Sequence, residues 1–247
     1  MKALLALLLL TACLHAANDH GWSEESPREE IRPGFASTDK DTLVITHDQR
    51  EGLDGWFQKG FEVKGGGFYR FQVKRKTTGV ASLRQSCLVR ILWQGADGKG
   101  VPLDAAPEYL QPNLPMPSAE PEYPTDGTTD AEGWTLVSGV YHAPSKAVKA
   151  TVELHLQWAP GGRVEWRGAE FTAAAAPAPR KVRLATVHYK PAGKSPRENC
   201  EEFAPLIAEA AQKKADLVVL GETVPSASAG VKSLKMEEIA EPIPGPS

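Results

Sequence analysis

At 247 residues, with 41% hydrophobic and 24% charged side chains, the chain has the composition of a soluble globular protein of one or two domains. Its formal net charge is −3 and no block of five or more Lys and Arg occurs, so neither nucleic acid nor an anionic membrane surface is an expected partner. The six His and three Cys are scattered, with no His-x-His, H-E-x-x-H or Cys-x-x-Cys spacing, and neither a metal nor a cofactor is expected.

The chain opens with Met1-Lys2 and an apolar stretch over residues 3–12, the charge, length and small-residue exit of a secretory signal over residues 1–17. An exported protein is expected: periplasmic, extracellular or lipid-anchored. The run Leu10-Thr11-Ala12-Cys13 resembles the lipobox of bacterial lipoproteins, which would make an acylated Cys13 the only membrane contact. Ordinary cleavage near Ala16 or Ala17 discards Cys13 instead. Cys87 and Cys200 lie in different parts of the chain, so no disulfide within a domain is expected.

Residues 18–171 carry repeated period-two patterns with turn-rich gaps and no long helical stripe, which predicts an antiparallel β-sandwich. The clearest strand covers residues 148–158. Val148, Ala150, Val152, Leu154, Leu156 and Trp158 face the core, while Lys149, Thr151, Glu153, His155 and Gln157 face water. Tyr69, Phe71 and Val73 alternate with Arg70, Gln72 and Lys74 in the same manner. Residues 87–93 and 134–141 are further strands, and the glycines at 65–67, at 98 and at 161–162 are expected to make hairpin turns.

The order of these features resembles the galactose-binding-like jelly rolls that include many carbohydrate-binding modules. The resemblance runs through Gly55-Trp56-Phe57, Phe61-Glu62-Val63, Phe68-Tyr69-Arg70-Phe71, Val89-Arg90-Ile91-Leu92-Trp93, Gly133-Trp134, Ala143-Pro144 and Gly162-Arg163-Val164-Glu165-Trp166. It implies a glycan partner on the sandwich, because sugar C–H faces stack on exposed aromatic rings. Trp56, Trp93, Trp134, Trp158 and Trp166 are the candidate platforms, yet each reads first as a core residue, Trp158 by sharing a face with five small or aliphatic neighbours. Asp39, Asp41 and Asp54 occur on sandwich loops that could hold a structural Ca²⁺, although scattered surface aspartates are the more common explanation of such residues.

Residues 106–132 lack periodicity and hold six prolines, which predicts a long functional or mobile loop. An Ala/Pro linker at residues 172–180 then marks a domain boundary.

Residues 181–247 read as strand, helix, strand. Val182-Arg183-Leu184-Ala185-Thr186-Val187 alternates, and Ser195-Pro196-Arg197-Glu198 starts a helix over residues 195–214 with a capping Ser, a proline at the first helical position and a Glu that closes a capping box. Phe203, Leu206, Ile207 and Ala210 form its apolar face, and Pro205 predicts a kink. Asp216-Leu217-Val218-Val219-Leu220 is a buried-strand run that ends at Glu222. A phosphate loop at Gly193-Lys194-Ser195 is disfavoured, because His188 stands where a glycine is needed and Pro196 has no amide to donate.

These residues, with Ala240-Glu241-Pro242-Ile243-Pro244-Gly245-Pro246, resemble the start of the carbon-nitrogen hydrolase (nitrilase) superfamily. The resemblance implies an α-β-β-α catalytic domain using a Glu, Lys and Cys triad on small-molecule amides or nitriles, with oligomers formed through the complete domain. Glu222 matches the general base that takes a proton from the thiol nucleophile. Gly221 stands where the family commonly has proline. Lys232 and Lys235 come too early for the family's Lys, and neither Cys87 nor Cys200 follows a strand as the nucleophile should.

The expected architecture is thus an all-β jelly-roll sandwich followed by a truncated α/β segment, the N-terminal portion of an exported hydrolase that is inactive as it stands. The alternative is a carbohydrate-binding or cell-surface-binding sandwich without catalysis.

Overall fold

A computed structural model describes residues 21–38, 41–108, 110–111 and 113–240. Cys13 and the leader, Asp39 and residues 241–247 lie outside them. The chain divides into two compact units, residues 1–177 and 178–247.

The first unit contains β1 (Ser23–Glu25), β2 (Gly34–Thr38), β3 (Thr42–Thr46), β4 (Asp54–Glu62), β5 (Phe68–Thr78), α1 (Leu83–Ser86), β6 (Val89–Gln94), β7 (Thr125–Thr129), β8 (Thr135–His142), β9 (Lys149–Gln157) and β10 (Arg163–Ala174). Every pairing among these strands is antiparallel. They form a four-stranded sheet, β1-β4-β9-β6, and a six-stranded sheet, β2-β3-β10-β5-β8-β7.

Alternation decides which side chains meet between the sheets. Phe57, Ile91, Val152, Leu154 and Leu156 point inward from the smaller sheet, and Ile45, Phe71, Val73, Val164 and Trp166 from the larger one, all at 0–1% exposure. Each such side chain contributes about 1.5–3 kcal/mol of burial free energy. Gly55 belongs to this packing, because a Cβ there would lie 2.6 Å from the Pro33 ring and 2.8 Å from Phe35.

Several details differ from the sequence expectation. The glycines at 65–67 connect β4 to β5, and those at 161–162 connect β9 to β10, so both turns carry the chain from one sheet to the other instead of closing hairpins. Residues 106–132 are not one loop: Ser118 bridges to Pro102, Glu122 bridges to Ile91, and β7 forms an edge strand. Thr172–Ala174, expected in the linker, extend β10 against Phe68–Arg70 of β5. Trp158 is not core. It follows the end of β9 with a left-handed φ of 51°, donates its N–H to the Leu53 carbonyl, and is 53% exposed.

The second unit holds β11 (Leu184–Thr186), α2 (Pro196–Gln212), β12 (Leu217–Val219), α3 (Ala229–Lys232) and α4 (Met236–Ile239). β11 and β12 pair in parallel across the α2 connection. Ser195 caps α2 by accepting the Glu198 N–H at 3.2 Å, but the Glu198 carboxylate accepts from the Lys194 N–H, one residue before the position a capping box uses.

Pro205 does not break α2. It lies on the exposed side, where the carbonyl that loses its helical partner is solvated. Phe203 and Ala210 are buried as the stripe predicts, whereas Ile207 is exposed. Leu217 and Val219, expected in a buried strand, are also exposed, because a pair of strands with one helix covers a single sheet face.

Candidate functional site

The outer face of the four-stranded sheet departs most from what a solvated strand face looks like. On β9 the outward residues alternate with the core set, and the expectation is that they are wet. Thr151, Glu153 and His155 are instead buried, at 3%, 4% and 1% exposure. β9 is flanked on both sides, so Trp56 and Gln58 of β4, Arg90 and Leu92 of β6 and the Lys149 side chain over Gly60 enclose its outward side chains.

Register sets out the rows. Trp56 of β4 lies beside His155, while Gln58 and Arg90 flank Glu153 from either side. Leu92 and Gly60 flank Thr151. Gly60 leaves a gap on this face that the Lys149 side chain crosses.

A charged network lies at the floor. Nε and Nη2 of Arg90 each lie 2.8 Å from Oε2 of Glu153, and Nε2 of His155 lies 3.1 Å from the same oxygen. His155 Nδ1 stands 3.7 Å from Oδ1 of Asp54. The Trp56 indole stacks on the His155 ring, with centroids 4.8 Å apart. One face of the indole therefore rests on a fixed polar floor, and the residue is half-buried.

Around this floor are side chains with unused hydrogen-bonding groups. The Gln94 carbonyl accepts from the Thr151 hydroxyl at 2.8 Å, the Gln58 carbonyl accepts from Trp56 Nε1 at 3.4 Å, and the Gln157 amide donates to the Gln85 carbonyl at 2.9 Å. Among the described residues the amide nitrogens of Gln58 and Gln94, the side-chain carbonyl of Gln157 and Oε1 of Glu153 make no protein hydrogen bond. The result is an aromatic shelf beside alternating donors and acceptors, about 20 Å long and about 10 Å wide by strand geometry.

The tryptophans divide clearly. Trp93, Trp134 and Trp166 are buried, at 3%, 7% and 0% exposure. Trp134 lies under the Arg167 guanidinium, 3.9 Å from its ring centroid. Trp56 and Trp158 are the two of the five candidates that reach solvent. His155 and Glu153 were missed in the sequence, where the signal was available: a Glu and a His on the polar side of the longest alternating apolar strand.

Glu222 follows the carboxyl end of β12 in an exposed turn, and among the described residues its carboxylate makes no hydrogen bond. Cys87 is buried in the sandwich, with its thiol pushed up to about 12 by burial, and Cys200 is half-buried on α2. No thiol or Lys is paired with Glu222 among the described residues. Asp54 belongs to the His155 network, and no group of three or more His, Cys, Asp or Glu among the described residues is placed to share a metal ion.

No family model matches the chain, and no curated protein matches it. Among solved structures, the enzymatically active domain of tailspike protein 4 of bacteriophage CBA120 is similar at 13% identity and a TM-score of 0.43, over 64% of this chain and 20% of that one. The CBM22-1 and GH10 modules of the Clostridium thermocellum endo-1,4-β-D-xylanase 10B, complexed with xylohexaose, are similar at 11% identity and a TM-score of 0.40, over 81% of this chain and 35% of that one. The CBM22-1 xylan-binding domain of Paenibacillus barcinonensis Xyn10C is similar at 9% identity and a TM-score of 0.36, over 66% and 92%.

The sandwich thus has carbohydrate-binding modules among its structural neighbours, and the chain spans well under two thirds of the tailspike and xylanase chains. None of the three likenesses extends support to the hydrolase resemblance of residues 181–247.

Proposed function

We propose that the sandwich is a glycan-binding module whose ligand lies along the outer face of the four-stranded sheet. The observation that carries this reading is the buried Glu153–His155 floor beneath the half-exposed Trp56 ring. Burying a carboxylate costs free energy unless it is paired. Arg90 and His155 occupy Oε2 and leave Oε1 to accept from a ligand hydroxyl. The indole offers the apolar surface that a pyranose C–H face requires, and the three glutamines add neutral donors and acceptors suited to hydroxyls.

On this reading the module works outside the cytoplasm, in keeping with the apolar segment at residues 3–12. Calorimetric titration of the chain with a panel of soluble plant and microbial oligosaccharides tests it. Saturable heat that is lost in Trp56→Ala supports the reading. Absence of heat with every oligosaccharide, or binding unchanged by that substitution, overturns it.

A second reading assigns residues 181–247 to a carbon-nitrogen hydrolase domain acting on a small amide or nitrile. The parallel β11-α2-β12 crossover and the position of Glu222 just beyond the carboxyl end of β12 favour it, since chemistry in open α/β sheets gathers at that end. Glu222 would serve as general base. It has no thiol beside it among the described residues, so no amide turnover is expected from the 247-residue chain. Turnover that disappears in Glu222→Gln would refute that expectation.

A further inference from the structure

We propose that the sandwich carries a second ligand site, at the edge between β6 and the β5, β7 and β8 strands of the opposite sheet, which takes an acidic monosaccharide unit of the hexuronate class. A cavity of about 590 Å³ opens there, and Arg75, Arg84, Cys87, Val89, Tyr123 and Asp126 contribute to its lining. That volume falls within the range of about 300–1,000 Å³ found for small-molecule sites. None of these residues belongs to the outer-face shelf, so the proposal stands independently of it.

Arg75 is the unusual element. It occupies an inward position of β5, in register with the core residue Trp166, and its side chain is only 4% exposed. Nη1 donates to the Cys87 carbonyl at 3.0 Å and Nη2 to Oδ2 of Asp126 at 2.7 Å. A guanidinium has five N–H groups, so three have no protein acceptor among the described residues. A buried cation with unused donors on a cavity wall is costly unless something in the cavity accepts from them.

The rest of the wall narrows the ligand class. Arg75 beside Asp126 presents a donor next to an acceptor, the arrangement that a pair of neighbouring hydroxyls satisfies. Tyr123 is 53% exposed, and among the described residues its ring makes no hydrogen bond or aromatic contact, which leaves a face for the apolar side of a sugar ring. Arg84 is exposed and leaves the lining with one positive charge in excess, matched by one carboxylate. A neutral hexose satisfies the first two features and not the third. A simple carboxylate satisfies only the third.

The test is a titration of the full chain, followed by calorimetry and by NMR, with sodium glucuronate, glucose and acetate. Saturable glucuronate binding is expected, with glucose and acetate each weaker by about tenfold or more. Arg84→Gln should lower glucuronate to the level of glucose, and Tyr123→Ala should weaken both sugars by about tenfold. Arg84 and Tyr123 are exposed, so neither variant endangers the fold, and thermal melting verifies this. No saturation by glucuronate, equal binding of glucose or acetate, or indifference to both Arg84→Gln and Tyr123→Ala would overturn the proposal.

Discussion

The Trp56 indole lies over the His155 imidazole with ring centroids 4.8 Å apart and planes 24° from parallel, so a buried polar side chain supports a solvent-facing aromatic one. The two residues are directly opposite on antiparallel strands, so the stack is fixed by register and not by loop conformation. A platform held this way is ready before the ligand arrives, which reduces the ordering cost of binding.

Trp56→Ala is therefore expected to weaken oligosaccharide binding by about 1–2 kcal/mol, roughly tenfold, while Tm shifts by only a few degrees. His155→Ala should lower both, because it removes the floor and leaves Glu153 with one partner fewer. Parallel calorimetry and thermal melts distinguish the two outcomes.

Arg90→Met should destabilise the sandwich by about 2–3 kcal/mol, since it leaves a carboxylate that is 6% exposed with the His155 ring but without its guanidinium counter-ion. Adding Glu153→Leu should restore much of the loss, because the double variant no longer buries an unpaired charge. Urea unfolding of the single and double variants measures both. Equal stability of the parent and Arg90→Met would show that the pair contributes nothing.

Glu122 is half-buried where its backbone bridges to Ile91, and burial holds its carboxyl pKa above the usual 4.5. The folded state thus keeps a proton that the unfolded state has released. The contribution of this group to stability is complete below pH 4.5 and falls as pH rises through the raised folded value. Glu122→Gln should consequently be more stable than the parent at pH 7, with the advantage vanishing below pH 4.5. His47 acts with the opposite sign, because burial lowers its pKa from 6.5, so its contribution is complete above 6.5 and declines as the solution is acidified through the lowered folded value. Guanidinium unfolding from pH 4 to pH 8 resolves the two.

Cys87 is 1% exposed and its thiol is pushed up to about 12, so at pH 8 it should resist alkylation in the native protein while Cys200 reacts. Iodoacetamide labelling with peptide mass mapping checks this. Modification of Cys87 at the rate seen in denaturant would contradict the packing described around it.

Lys214 follows α2 with a left-handed φ of 57°, and the Ala215 N–H returns to the Ala210 carbonyl at 3.0 Å. Glycine adopts that conformation without a Cβ penalty. Lys214→Gly is expected to stabilise the second unit by about 0.5–1 kcal/mol, read as slower amide exchange along α2.

The sandwich was legible because alternation is a local property: Tyr69, Phe71 and Val73, and Ala150 to Leu156 on β9, show their inward face in the sequence alone. The same locality explains the misreadings. Trp158 continues the period of β9 by spacing, but the strand has already ended at Gln157 and a left-handed residue turns the ring outward. The glycines at 65–67 signal a turn correctly, yet a turn residue carries no record of whether the next strand pairs with the last one or joins the other sheet.

The sequence by itself determined the inward face of β5 and of β9 over Ala150 to Leu156, the cap at Ser195 and the strand-helix-strand order that precedes Glu222, because each depends on spacing within one segment. Only the tertiary structure decided that Glu153 and His155 form a buried floor under Trp56, and that Arg75 reaches a cavity with donors to spare. Both depend on which strands become neighbours. A residue on the polar face of a strand is wet or buried according to the height of the side chains beside it, and those come from segments distant in sequence, Asp54–Glu62 and Val89–Gln94 on either side of Lys149–Gln157.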